Sequence, residues 1–206
     1  MPPPAFFQKL GCFVRHDFLS LEQCAEICVD IRCAAQAKGE IVGSRQTPDE
    51  PDLLDESVRR VLSARVTGPG KALVKLQLDK LKPELESHFQ VTLTGGDGPQ
   101  FLRYPPKAFY HPHRDADPDS PSDIACRRVS IVIFLNRPSE YPAPDCYGGG
   151  ALRFYGLLSG RHWENCAFSL DAEPGLLIAF RSDVLHEVLP VTFGERMTVV
   201  AWFTGD

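Results

Sequence analysis

The sequence predicts an α+β fold that is mainly β: a double-stranded β-helix, or jelly-roll barrel, braced by helices at its N-terminal end. Three features of the chain predict it. Apolar residues recur at helical spacing only before Gly95. Beyond Gly95 and Gly96 the segments become short, rich in β-branched and aromatic residues, and separated by Gly, Pro, Asp and Asn. No spacer between those segments is long enough for the helix of a parallel crossover, which leaves antiparallel strands in a double-sheet barrel. At 206 residues the chain suits one domain, with a helical support and loop region over 1–95 and a barrel core over 96–206.

The elements follow in order. Residues 20–37 form a helix: Leu21, Cys24, Cys28, Ile31 and Ala35 share its buried face, Ser20 with Gln23 resembles a capping box, and Gly39 can end it. The acidic stretch 44–57 (SRQTPDEPDLLDES) holds two prolines and reads as a surface loop. A second helix begins near Lys71 with Val74, Leu78, Leu81, Leu85 and Phe89 on one face, and Pro83 should kink it or start its last turns. Strands are expected at 100–104, around His113, and at 129–136, 151–155, 167–170, 176–181, 187–191 and 197–204. In 129–136, Val129, Ile131, Ile133 and Leu135 face one side while Ser130, Val132 and Phe134 face the other, both largely apolar.

Hydrophobic residues at 43% and charged residues at 24% are ordinary for a globular protein, and 16 Gly with 18 Pro excludes low-complexity disorder. The net charge of −5 gives no broad attraction to nucleic acid or to anionic membranes, so neither is an expected partner. The longest apolar runs, 129–135 and 176–180, fall far short of the ~20 residues of a membrane helix, and 1–18 lacks a signal-peptide core. A cytoplasmic location is expected. Seven cysteines with no CxxC read as reduced, mostly buried thiols.

His113 and Asp115 lie two residues apart in an extended segment, where a period of two aims both side chains at one point. In a barrel, the strand carrying His186 can bring a second imidazole there. Two neutral imidazoles and a carboxylate leave the opposite positions of a metal open, which suits non-haem Fe(II) oxygen chemistry; zinc accepts the same ligands. Alone, an HxD with a distant His arises by chance in many chains. Arg196 adds a permanent cation ahead of an apolar strand, and a guanidinium there needs a carboxylate, which it can clamp bidentately. That carboxylate could equally be a protein Asp or Glu.

Together these residues resemble the 2-oxoglutarate/Fe(II) dioxygenases of the prolyl 4-hydroxylase type, including the hypoxia-sensing branch. The pattern YxxGxxYxxHxD lies over Tyr104, Lys107, Tyr110, His113 and Asp115. Then come the strand ending Phe134-Leu135-Asn136, the Gly149-Gly150 turn with Ala151-Leu152-Arg153-Phe154, the Pro174-Gly175 turn, His186-Glu187-Val188, Arg196 and Trp202. The resemblance covers the second half of the chain. It implies that His113, Asp115 and His186 bind Fe(II), that Arg196 binds the distal carboxylate of the cosubstrate 2-oxoglutarate, and that Tyr104 lies along it. It also implies O2 as a substrate, ascorbate as a reductant, and hydroxylation of a C–H bond with succinate and CO2 as coproducts. A prolyl residue in a peptide or protein substrate comes first, and a free amino acid or other small-molecule substrate second.

Two positions depart from the family pattern. Lys107 stands where the family often has Gly. Phe134 stands where relatives of the hypoxia sensors have a Tyr hydroxyl reaching the cosubstrate, so a second contact to the distal carboxylate must come from elsewhere; Thr198, two residues beyond Arg196 on the same strand face, is the candidate.

The neighbouring residues read more plainly. His111 has no acid at its +2 position, where Pro112 is followed by His113, and Asp117 and Asp119 suit a solvated loop. Arg127 and Arg128 open the central strand, either touching substrate or capping a solvated strand end. Gly148 to Gly150 suits a turn rather than a phosphate cradle, since no Lys-Ser/Thr follows. Trp202 and Phe203 read as barrel packing. Selectivity is expected in the loops 44–57, 117–125 and 137–147, and 44–57 is either a cover over the iron that orders on substrate arrival or a plain surface connection. Among other classes, a non-catalytic sensor barrel has no need of a triad with a clamp. A metal hydrolase lacks its HExxH, since Val-Leu-Pro follows His186-Glu187.

Overall fold

Ser20 starts the first long helix as its sequence requires. In the computed structural model, which describes residues 1–40, 54–119, 123–158 and 166–205, Ser20 Oγ accepts from the Gln23 backbone N–H at 3.2 Å while Gln23 Oε1 accepts from the Ser20 N–H at 2.9 Å. This capping box opens helix Leu21–Cys33 and contributes about 1 kcal/mol. The helix ends earlier than its sequence pattern predicts: Ala34 turns extended, the Gln36 side chain caps the Ile31 carbonyl, and Gln36–Lys38 becomes a strand on Leu62–Ala64. Its inward residues are Cys24, Ile27, Cys28 and Ile31, whereas Leu21 and Ala35 are exposed.

The second long helix is Pro69–Phe89, with proline in its first turn, where the missing N–H is no loss. It runs through Pro83 without ending. Pro83 lies on the solvent side, where water can serve the carbonyl left without a partner. Val74, Leu78, Leu81, Leu85 and Phe89 all face inward, as their spacing predicts. A short helix, Pro4–Lys9, precedes both.

The strands form two facing antiparallel sheets and a small third one. The larger sheet runs Phe13–Arg15, Leu177–Arg181, Arg127–Phe134, Arg196–Gly205, Leu93–Tyr104, Leu62–Ala64, Gln36–Lys38. The smaller runs Ala167–Ser169, Leu152–Tyr155, His186–Val188, Phe109–His113, Arg59–Arg60. This is the jelly-roll arrangement, with the sheets facing each other rather than hydrogen-bonded into one ring among the described residues. The central strands alternate between two cores. Val129, Ile131, Ile133, Met197, Val199, Ala201 and Phe203 pack under the two long helices; Val132, Phe134 and Val200 point between the sheets towards Leu102, Leu152, Phe154 and Phe180.

Two strands depart from expectation by more than a residue or two, each for a local reason. The strand expected at 100–104 begins at Leu93, because Gly96 lets the chain approach its partner: a Cβ there would lie 2.6 Å from the Trp202 carbonyl oxygen. The segment 187–191 divides at Pro190, which has no N–H for a ladder. His186–Val188 stays in the smaller sheet, while Val191–Gly194 pairs with Cys146–Gly149 in the third. The loop 44–57 falls mostly outside the described residues. Cys12, Cys24 and Cys28 are buried and Cys33 and Cys126 exposed, all as free thiols, so burial holds for fewer cysteines than expected.

Candidate active site

Strand pairing brings the two histidines together. His113 ends Phe109–His113, His186 begins His186–Val188, and the two are direct partners in the antiparallel register. Their ring centroids are 4.3 Å apart. Asp115 follows two residues on, its backbone N–H and that of Ala116 both donating to the Ser182 carbonyl, and its carboxylate lies 3.7 Å from His113 Nε2 and 3.6 Å from His186 Nε2. One ligand atom from each of the three falls within 4.8 Å of the others, so a single ion can touch all three.

Both imidazoles are turned the same way. His113 Nδ1 donates to the His111 carbonyl at 2.8 Å and His186 Nδ1 to the Val184 carbonyl at 2.9 Å. A carbonyl only accepts, so the proton is on Nδ1 and each Nε2 presents a lone pair to the triad. Burial, with the neighbouring His186, pushes His113 down to about 3, which keeps it neutral and able to ligate. Burial pushes the Asp115 carboxyl up, whereas positive charge on the facing imidazoles, where they carry it, and hydrogen bonds from the Trp202 indole and the Ser130 hydroxyl hold it below the usual carboxylate range. Two neutral nitrogens, one carboxylate and an open opposite side form the donor set of a non-haem Fe(II) centre.

Arg196 lies in the same cavity, which encloses about 440 Å³ including its open mouth. The residue is 1% exposed. Its Nη1 meets Thr198 Oγ1 at 3.4 Å, its Cζ lies 4.9 Å from the Tyr104 ring centroid and 5.3 Å from that of Phe134, and its Nε and Nη2 have no acceptor among the described residues. A buried guanidinium in this state is a site for an anion from outside the chain. Gly150, at φ +61°, makes room for it: a Cβ there would stand 3.0 Å from Arg196 Cδ.

A model of the 2OG-Fe(II) oxygenase superfamily matches residues 99–204, a stretch that holds the three converging side chains, Arg196, Tyr104 and Thr198. The chain belongs to that superfamily. A PKHD-type hydroxylase from Sphingopyxis alaskensis is 34% identical over 105 residues, which are 50% of this chain and 42% of that protein's own length. Two solved structures share the oxygenase's fold. A Pseudomonas putida prolyl-4-hydroxylase superposes with a TM-score of 0.67 at 24% identity, covering 95% of this chain and 93% of that one. A Trichoplax adhaerens prolyl hydroxylase, in complex with a hypoxia inducible factor oxygen degradation domain peptide fragment, gives 0.70 at 20% identity, covering 98% and 86%.

The superfamily is named for Fe(II) and 2-oxoglutarate, and the residues of this oxygenase fit both: the three-residue donor set suits the metal, and the orphaned donors of Arg196 suit a carboxylate. Lys107 sits at φ +70°, a left-handed conformation that costs an L-residue roughly 1–2 kcal/mol and that Gly adopts freely. His111 is exposed and supplies only its carbonyl, and Asp117 and Asp119 lie on an exposed loop.

Arg127 is no solvated strand end. It is buried, its Nε donates to Asp97 Oδ2 at 3.0 Å, its Nη1 reaches the Asp115 carbonyl at 3.3 Å, and its Cζ lies 4.1 Å from the Trp202 ring centroid. Arg128 does cap the strand, donating to the Ala125 carbonyl at 3.1 Å. Trp202 accordingly does more than pack. Its neighbour Phe203 does pack, under the helices. Sequence reading missed Arg59, which lines the cavity, and Tyr147, a buried phenol whose hydroxyl lies beside the Arg196 guanidinium. Neither carries a local motif; only the fold brings them in.

Proposed function

We propose that this chain is an Fe(II)- and 2-oxoglutarate-dependent dioxygenase that hydroxylates a C–H bond of a prolyl residue in a peptide or protein, with succinate and CO2 as coproducts. One observation carries the reading: Arg196 is buried with two donors unanswered, in the cavity where His113, Asp115 and His186 converge. A dicarboxylic acid that reaches the metal with one end and the guanidinium with the other answers both at once.

In this reading His113 and His186 hold iron through Nε2 and Asp115 holds it through its carboxylate. Arg196 fixes the distal carboxylate of 2-oxoglutarate, Thr198 holds the guanidinium in place and can donate its hydroxyl proton to the same carboxylate, and the Tyr104 ring lies along the cosubstrate. Iron and 2-oxoglutarate, when bound, supply the oxidation. The chain orients them and keeps water out with the apolar walls of Leu102, Val132, Leu152, Val188 and Val200. Both the 1–95 region and the barrel serve this one site, since Arg59 and Tyr104 line the same cavity. O2 is the second substrate, ascorbate the reductant that recovers oxidised iron, and the cytoplasm the location; among the described residues no helix is long and apolar enough to cross a membrane.

The prolyl assignment is supported by the two prolyl hydroxylases that share this fold and by the PKHD-type hydroxylase similar in sequence. The test is a screen of prolyl peptides and free amino acids for succinate release that coincides with a gain of one oxygen atom in the candidate, under Fe(II), 2-oxoglutarate and O2. Hydroxylated prolyl peptide is the expected product; coupled turnover confined to free amino acids would move the substrate class.

A further inference from the structure

Arg59 is a second guanidinium in the cavity, and nothing in the reaction above uses it. It lies on the edge strand Arg59–Arg60, directly opposite Tyr110 in the register. Its side chain turns inward: the residue is 6% exposed and lines the cavity with His113. Cζ lies 4.8 Å from the Tyr110 ring centroid, and that ring stacks on the His113 imidazole with centroids 3.4 Å apart. Guanidinium, phenol and imidazole thus form one stack that leads to the triad. Nη1 donates to the Glu40 carbonyl, while Nε is buried without an acceptor, and no carboxylate among the described residues pairs with Arg59.

Burying an unpaired cation costs several kcal/mol, which a counter-charge must offset. Arg196 has the same profile, and its anion is the distal carboxylate of the cosubstrate. Once Fe(II), Asp115, Arg196 and both carboxylates of 2-oxoglutarate are together, their charges cancel. Among the described residues Arg59 then remains without a counter-charge, one ring away from His113. Resting on the function proposed above, we propose that Arg59 binds a carboxylate of the substrate itself, so that the enzyme takes an amino acid or a peptide that presents a carboxylate near the carbon to be oxidised. The planar two-oxygen group suits the edge of a guanidinium better than a single carbonyl does.

The test uses N-acetyl amino acids, each as the acid and as the neutral amide, with free amino acids as a separate arm. They are titrated calorimetrically into the chain loaded with Fe(II) and 2-oxoglutarate under argon. At least one acid should bind about tenfold tighter than its amide, a difference of about 1.4 kcal/mol. Arg59→Gln should erase that preference, Arg59→Lys should keep part of it, and 2-oxoglutarate should bind both variants within about twofold of the parent, which also shows that they fold. If the free amino acid binds tighter than its N-acetyl form, the carboxylate comes from a single amino acid; the reverse order assigns it to a peptide terminus. No acid preferred over its amide, or a preference that survives Arg59→Gln, overturns the proposal. A loss of 2-oxoglutarate affinity in Arg59→Gln would assign the residue to the cosubstrate instead. Failure of the parent to bind 2-oxoglutarate would sink the proposed function, a separate result.

Discussion

Thr198 stands directly opposite Phe134 in the strand pairing, and its Oγ1 meets Arg196 Nη1 at 3.4 Å. Phe134 has no hydroxyl to offer a carboxylate, but the residue across from it does. The proposed clamp therefore has a guanidinium and a hydroxyl on one strand face, with Tyr104 and Phe134 as apolar sides.

Arg196→Lys should raise the 2-oxoglutarate requirement far more than it weakens iron binding. Lysine keeps the charge but loses the fork, at a cost of about 2 kcal/mol, or roughly 30-fold in the KM for 2-oxoglutarate. Titrating 2-oxoglutarate against succinate release in parent and variant measures it; an unchanged KM would move the clamp elsewhere.

Thr198→Val is close to isosteric and removes only the hydroxyl. A smaller loss is expected, about 1 kcal/mol and roughly fivefold in the same KM. A variant indistinguishable from the parent would leave Arg196 to hold the carboxylate alone.

Trp202 and Arg127 brace Asp115 from the side of the protein. The indole faces the Asp115 carboxylate, while Arg127 lies against the indole and reaches the Asp115 backbone. Trp202→Phe should weaken metal binding by about tenfold, the usual scale for a partner of a metal ligand. Metal titration followed by Co(II) absorption reads affinity and ligand geometry together, and an unaltered spectrum and affinity would reduce Trp202 to packing.

Burial pushes the Cys12 and Cys28 thiols up to about 12 and Cys24 up to about 11, from an ordinary 9.0. The folded chain keeps these protons where the unfolded chain releases them, so the stability they lend is complete below about pH 9 and lost as pH rises towards about 11 for Cys24 and about 12 for Cys12 and Cys28. Thermal melts should fall over that window, with a slope of up to about 1.4 kcal/mol per pH unit for each thiol. Alkylation at about pH 8 should label exposed Cys33 and Cys126 and spare these three until the chain unfolds; prompt labelling of Cys24 or Cys28 in the native chain would contradict their burial.

Much of the architecture is legible in single residues. Ser20 and Gln23 announce a helix start because a capping box is local, and the alternation from Val129 to Leu135 separates two cores because a strand's period is fixed. Arg196 and Thr198 share a face by the same rule. What could not be read depends on contacts far along the chain. Helix and strand compete at Gln36, and pairing with Ala64 decides. The glycines near Gly96 look like a break until a long partner strand lies beside them. Arg127 looks solvated until Asp97 and Trp202 cover it, and Arg59 has no signal at all before the smaller sheet turns it towards His113.

The most direct test of the central claim is the fate of labelled oxygen. The chain, supplied with Fe(II), 2-oxoglutarate and ¹⁸O2, should release succinate carrying one labelled oxygen atom, and Asp115→Ala, which removes a proposed metal ligand, should release none while melting cooperatively like the parent. Unlabelled succinate from the parent, or labelled succinate undiminished in Asp115→Ala, would contradict the account.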